Sequence, residues 1–220
     1  MKRSERVRVT IVGAGRLGKS MAMRLAPHFE LVVIDSDARR AAEVGEELGV
    51  KASGNLHDAA ESDVVLLAVP AESIDEVGQQ LLFLLPPAAV VADMATGHVS
   101  SLDSNRIVPC TVIGHAMEIQ RGTPAVFVIR AMVPSLVRVL SHLGDVLEGD
   151  PLAAATTNRA VCIAIARAYR DITEGLSSFD ARLVRAALVN MGAGTLRALA
   201  DGQAGPFLKR LLQEIERSEG

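Results

Sequence analysis

Residues 7–35 read VRVTIVGAGRLGKSMAMRLAPHFELVVID, and the order of parts in this stretch decides the fold. Val7 to Val12 is a short, β-branched apolar run of the kind that makes a buried parallel strand, and it stops at Gly13. Gly13, Gly15 and Gly18 then spell G-x-G-x-x-G. In such a turn the first glycine allows a tight exit from the strand. The second lets a pyrophosphate approach the backbone, and the third lets the next helix pack close to the sheet. The helix expected from Arg16 to Leu25 aims its free N–H groups and positive dipole end at the same place, which suits an anion; Pro27 ends it. A second strand, Glu30 to Ile34, carries Asp35 at its carboxyl end, about 20 residues past the glycine turn, where an acid can take the ribose hydroxyls of a dinucleotide. The glycines alone are weak evidence. Strand, glycines, helix, strand and acid in register are much stronger, and they stand against a tight turn that binds nothing, with Asp35 as a helix cap.

Outward from this unit, Asp37 is a candidate N-cap for a helix through Arg39, Arg40 and Glu43 to Leu48, closed by Gly49. Asp35 favours a free ribose hydroxyl, whereas Arg39 or Arg40 could hold a 2′-phosphate, so the cofactor is NAD or NADP with a lean to NAD. The two arginines read equally well as a solvated helix face. Asp63 to Val69 is a continuous apolar strand bounded by Pro70, and Ala68, Val69 and Pro70 at its carboxyl end should lie near the cofactor. Ala71 to Leu85 reads as a crossover helix, Ala88 to Ala92 as a strand, and Asp93 to His98, including Thr96, as the loop beyond it. Arg106 to Val108 and Val112 to Ile113 read as separate short strands before Gly114-His115-Ala116-Met117. Ala125 to Ile129, a helix from Val133 to Leu143, and Val146-Leu147 complete an α/β domain, 1–150, with a doubly wound parallel sheet.

From Pro151 no strand candidates remain, and the boundary is expected at Glu148 to Pro151. Three helices follow in 151–220: Leu152 to Glu174, Ser178 to Ala200 with Ser177 as N-cap, and Gly205 to Arg217. The first is apolar on more than one face (Val161, Ile163, Ala164, Ile165, Ala168), so it must be packed on several sides. A small domain cannot cover it easily, which points to a homodimer formed through these helices.

Composition narrows the class. Of 220 residues, 49% are apolar and 22% charged, the composition of an ordinary globular protein. The net charge of -3 comes from interspersed signs and there is no Trp, so neither a nucleic-acid footprint nor stacking platforms are expected. No apolar run is long enough to span a bilayer, and Lys2, Arg3, Arg6 and Arg8 lead into a strand rather than a signal peptide. A cytoplasmic protein is expected, with Cys110 and Cys162 as ordinary thiols. No His, Cys, Asp or Glu cluster has metal-ligand spacing, so no metal is expected.

The segments VTIVGAGRLGKSMAMRL, SDVVLLAVPAESIDEV, VADMATGHVSSLDS and DITEGLSSFDARLVRAALVNMGAGTLRAL resemble the pyrroline-5-carboxylate reductase family and its relatives. The resemblance implies a Rossmann domain followed by a small all-helical dimerising domain, like the carboxyl-terminal domain of 6-phosphogluconate dehydrogenase. It also implies an NAD(P)-dependent oxidoreductase of amino-acid metabolism, its cofactor held by Gly13, Gly15, Arg16, Leu17, Gly18, Asp35, Ser36, Arg39, Ala68, Val69, Pro70 and Thr96. Two segments depart from the family pattern. IVPCTVIGHAMEIQRGTP stands where a Met-Pro-Asn-Thr-Pro type motif belongs, and Ala155-Thr156-Thr157-Asn158-Arg159-Ala160 replaces a Ser/Gly/Pro run. Prephenate dehydrogenases are a second resemblance: Val91-Ala92-Asp93 and Gly114-His115-Ala116-Met117 are similar to their Asp and Gly-x-His-Pro-Met motifs, with Ala116 for the proline.

In hydride transfer the cofactor carries the chemistry, and the protein orients the small-molecule substrate and supplies a proton. His115 is the foremost acid/base candidate, read alternatively as a loop histidine held by hydrogen bonds. Thr157 and Asn158, with Thr156, could donate hydrogen bonds to substrate, Arg159 could hold a carboxylate, and Met117 could line the substrate side; a polar helix start is the plain alternative. His98 and Asp93 rank below these. A nucleotide-binding sensor that lost its substrate site is the other function class the departures allow.

Overall fold

The computed structural model describes residues 7–102, 104–175, 180–203 and 205–219. β1 (Arg8–Val12), α1 (Arg16–Leu25), β2 (Glu30–Ile34), α2 (Ala38–Leu48) and β3 (Lys51–Ser53) make the first half of the sheet. After a short 3₁₀ turn, β4 (Val64–Leu67), α3 (Ala71–Leu84), β5 (Val90–Asp93) and β6 (Ile107–Ile113) make the second. Beyond them lie α4 (Ala116–Gln120), β7 (Ala125–Ile129), α5 (Pro134–Leu140) and β8 (Gly144–Glu148). The strands form one sheet in the order β3-β2-β1-β4-β5-β6-β7-β8. Val12 of β1 pairs in parallel with Ile34 on one side and Leu67 on the other, so the winding reverses next to β1. An open α/β sheet has its binding crevice at that reversal, off the carboxyl ends of the strands.

Period-two alternation explains why both faces are covered. Val9 and Ile11 of β1, Val64 and Leu66 of β4, and Val90 and Ala92 of β5 join Met21 and Leu25 of α1 and Leu136 and Leu140 of α5 in one buried cluster. Val12, Val65, Leu67 and Val91 point the other way and join Ile74 and Leu81 of α3. These central strands are apolar on both faces because helices lie on both.

The sheet departs from the expected all-parallel one. β6 is a single strand, where the sequence suggested two pieces: it pairs in parallel with β5 as far as Pro109, then antiparallel with β7 from Cys110 on. A proline lacks the N–H that a strand paired on both sides needs, and Pro109 sits where one partner hands over to the other. The five-residue α4 is too short to carry the chain back across the sheet, so β7 returns alongside β6. β3, three residues at the sheet edge, carries too little periodicity to be read from sequence.

Arg106, just before β6, serves as a helix cap from a distance. Its guanidinium donates to the carbonyls of Leu82, Leu85, Pro86 and Ala89 at 2.9–3.4 Å, around the end of α3. A cation at that end satisfies orphan carbonyls and opposes the helix dipole. Arg106→Met should lower stability by about 2–3 kcal/mol in urea unfolding, since several carbonyls lose a charged donor. A loss within ~0.5 kcal/mol would deny that role.

The chain divides into two compact units, 1–159 and 160–220, and the division falls inside α6 (Pro151–Gly175), nine residues past the expected domain boundary at 150. The first turns of α6 belong to the sheet unit because the Thr111 hydroxyl donates to the Pro151 carbonyl at 2.7 Å and Ala155 is buried. The second unit holds the rest of α6, then α7 (Ala181–Ala186), a π-helical stretch Ala187–Gly192, α8 (Ala193–Ala200) and α9 (Pro206–Glu219). Asp180 caps α7 by accepting from the Arg182 N–H; Ser177, the expected cap, lies outside the described residues. In this unit Val161, Ile165, Tyr169, Leu183, Val189, Leu196 and Phe207 are exposed. No helix among the described residues is long and apolar enough to cross a membrane.

Candidate functional site

The glycine turn is shaped by contacts that allow no side chain. Gly13 takes φ +104° and donates its N–H to the Ile34 carbonyl at 2.7 Å; a Cβ on it would lie 2.4 Å from the Ala68 carbonyl oxygen. A Cβ on Gly18 would lie 1.8 Å from the Gly13 carbonyl oxygen, so α1 rests directly on the turn. Gly15 differs. A Cβ there would meet nothing within 4 Å, because this glycine faces an open hollow. It is also the N-cap of α1 and offers no side-chain cap, which leaves the first-turn N–H groups directed at the hollow.

The hollow has a volume of about 710 Å³, the size of a small-molecule site. Gly13, Gly15, Asp35, Ser36, Ala68, Val69 and Pro70 line it, as the sequence suggests, as does Arg40, one of the two arginines read as able to hold a 2′-phosphate; Leu56 and Val77 join them without a signal in the sequence. Asp35 is 6% exposed. One of its oxygens accepts from the Ala14 N–H at 2.7 Å and the other from the Asp37 N–H at 2.9 Å. Asp35 therefore ties the glycine turn to the end of β2 while presenting its charge to the hollow. The Arg40 guanidinium lies 3.6 Å from both the Asp35 and Asp37 carboxylates. Arg39 turns away, 89% exposed and 3.3 Å from Glu43. Spacing held the signal for this choice: Arg40, three residues past the N-cap Asp37, is placed to reach back over it, and Arg39 is not. Arg16 is exposed on the first turn of α1, Leu17 packs down on the core, and Thr96 is exposed after β5.

At the carboxyl end of β5 stands a pair, Asp93 and His98, that the sequence alone places below His115. Asp93 is fully buried; one oxygen accepts from the Ala95 N–H at 3.0 Å and the other lies 2.6 Å from Nδ1 of His98. The segment after His98 is pinned to α3, since the Ser100 and Ser101 hydroxyls donate to Asp75. Those hydroxyls, Ser101 before Ser100, hold the Asp75 carboxyl below the usual carboxylate range. Beneath the pair, burial and then the charge of Asp93 push the Cys110 thiol up to about 12, so it stays protonated. The available sequence signal was a charged residue closing an otherwise apolar strand, which folding tolerates only with a partner.

The substrate-side candidates lie apart from the hollow's lining. His115 is exposed and caps α4, its Nδ1 accepting from the Met117 N–H at 3.3 Å; Met117 is exposed too. Both follow β6 and so occupy the carboxyl edge of the sheet. On α6, the Thr156 and Thr157 hydroxyls donate to the carbonyls four residues back, Leu152 and Ala153, and keep only acceptor capacity for a ligand. Asn158 is half-buried and Arg159 exposed beside them. Among the described residues no group of three or more His, Cys, Asp or Glu could hold a metal ion.

Residues 8–97 match the family model described as NADP oxidoreductase, coenzyme F420-dependent. No curated protein sequence matches the chain. Solved structures share the fold at low identity. A pyrroline-5-carboxylate reductase from Coxiella burnetii is 16% identical, with a TM-score of 0.68 over 94% of this chain and 84% of that one. A reductive aminase from Aspergillus terreus, in complex with NADPH4, cyclohexanone and allyl amine, is 18% identical, with a TM-score of 0.65 over 97% and 78%. The 3-hydroxyisobutyrate dehydrogenase of Mycobacterium tuberculosis is 21% identical, with a TM-score of 0.61 over 78% and 66%. The pyrroline-5-carboxylate reductase-like architecture read from the sequence, a mostly parallel Rossmann sheet followed by helices, is the one found.

Proposed function

We propose that the chain is an NAD(P)-dependent oxidoreductase that transfers hydride between the nicotinamide and a small carboxylate-bearing imine, ketone or alcohol, in the manner of pyrroline-5-carboxylate reductase. One observation carries this reading: an open hollow at the sheet's reversal, with Gly15 bare on its floor, an uncapped helix N-terminus aimed into it and Asp35 at its rim. Gly13, Gly15 and the α1 N–H groups would hold the pyrophosphate, Asp35 and Ser36 the adenosine ribose, and Ala68 to Pro70 the path toward the nicotinamide. NAD(H) is favoured over NADP(H), because a buried carboxylate repels a 2′-phosphate at the ribose. When bound, the cofactor supplies or accepts the hydride. His115, Met117, Thr157, Asn158 and Arg159 are the substrate-side groups, Arg159 fitting a carboxylate.

The test is oxidation of NADH and NADPH by the full chain with pyrroline-5-carboxylate, and with 2-keto acids with and without ammonia. Turnover with one of these supports the reading. Cofactor binding without any turnover favours the second reading, a nucleotide-binding sensor, which the altered 109–123 and 155–160 segments support. We also propose a homodimer working in the cytoplasm, a second copy covering the exposed apolar residues of 160–220. A monomer by light scattering would refute the dimer.

A further inference from the structure

We propose that Asp93 and His98 form the proton-handling pair of this reaction, with His98 Nε2 as the proton donor to the substrate nitrogen or oxygen. The inference rests on the cofactor reading above and adds the residues that complete it.

Three observations place the pair. Asp93 ends β5, the next strand after β4 on the side of the reversal away from Asp35. Were Asp35 to hold the adenosine and Gly13 and Gly15 the pyrophosphate, the nicotinamide half would be left to the β4 side of the reversal, past Val69, where β5 is the next strand. The second observation is the geometry. A carboxylate with no solvent exposure lies 2.6 Å from His98 Nδ1, which fixes the ring: Nδ1 carries the proton that Asp93 accepts, and Nε2 is left to take up or hand on another. The third is the support. The side chain of His98 keeps 18% exposure, its loop is tied to α3 through Asp75, and Gly97 faces Ala155 at the start of α6, where a Cβ on it would come within 3.8 Å. The loop that carries the imidazole is thus tied to α3 on one side and rests against α6 at Ala155 on the other. Among the described residues, His115 Nδ1 accepts from the Met117 backbone N–H rather than facing a carboxylate as His98 does.

In the reducing direction, a bound reduced nicotinamide would supply the hydride to the C=N or C=O carbon, whose π electron pair would move to the heteroatom. That atom takes the proton from His98 Nε2, the N–H bond breaking toward the ring. Nδ1–H stays on Asp93, and solvent reprotonates Nε2.

The test combines chemical footprinting with turnover. Diethyl pyrocarbonate labelling of the full chain is read at His98 by mass spectrometry with and without saturating NADH, while NADH binding is followed separately by fluorescence. NADH should slow labelling of His98 tenfold or more and leave His28 unchanged, which is exposed at the opposite edge of the sheet. Equal labelling of His98 with NADH demonstrably bound overturns the placement and leaves the cofactor reading standing. No NADH binding overturns the cofactor reading itself. In turnover, His98→Gln should lower kcat about 100-fold, the usual range for a lost general acid, with KM for NADH unchanged. Asp93→Asn, which disturbs the tautomer, should lower kcat while His98 still labels. Unchanged kcat in His98→Gln overturns the donor role, and a comparable loss confined to His115→Gln would transfer it there.

Discussion

Gly18→Ala is expected to weaken NADH binding at least 100-fold, about 2.8 kcal/mol, and to lower stability by about 1–3 kcal/mol. The added methyl would lie 1.8 Å from the Gly13 carbonyl oxygen and 3.2 Å from Ile11 Cγ2, both fixed by the strand and the turn. α1 can only make room by backing away, which withdraws its N–H groups from the pyrophosphate. Gly15→Ala separates the two effects. Gly15 has φ -69° and nothing within 4 Å of a Cβ, so alanine fits the folded backbone and costs no more than about 1 kcal/mol as a poorer N-cap. Its methyl would stand where the pyrophosphate must approach, so binding should fall as steeply as in Gly18→Ala. Fluorescence titration and urea unfolding of the two variants measure both quantities. Tight NADH binding by Gly15→Ala would mean that the hollow is not used as described.

Asp35→Ala should reduce NADH affinity by about 1–2 kcal/mol through the lost ribose hydrogen bonds, and it should shift the preference between the cofactors. The variant removes the carboxylate that Arg40 faces at 3.6 Å and leaves the buried Ala14 N–H without its acceptor. NADH loses its ribose partner. NADPH meets a guanidinium no longer drawn to Asp35, and one negative charge fewer at the 2′-phosphate, so the affinity ratio should move tenfold or more toward NADPH. Equal losses for both cofactors would assign Asp35 a purely structural part, holding the turn.

The nucleotide half of the molecule was legible because its signals are local. The glycine spacing, the acid at the end of β2 and the apolar strands each depend on a few neighbours in sequence. They reappear as α1 (Arg16–Leu25), β2 (Glu30–Ile34) and β7 (Ala125–Ile129) with the bounds expected. What was not legible depends on pairing between distant segments. Nothing within residues 106–113 says that Pro109 ends one partnership and begins another, and β7 runs antiparallel only because α4 is too short to cross over. The site was legible in part, because the direction and burial of a side chain are set by the fold around it. Arg40 and Arg39 are neighbours in sequence, but only Arg40 reaches Asp35. Asp93 and His98 stand below His115 on the sequence alone because five residues of chain do not say that one is wholly buried and the other rests on it.

The most direct test of the account is a calorimetric titration of the full chain with NADH and NADPH. Saturable uptake of one dinucleotide per chain, each cofactor displacing the other, is the result predicted from the bare floor at Gly15 and the uncapped start of α1. A folded chain that takes up neither would contradict it.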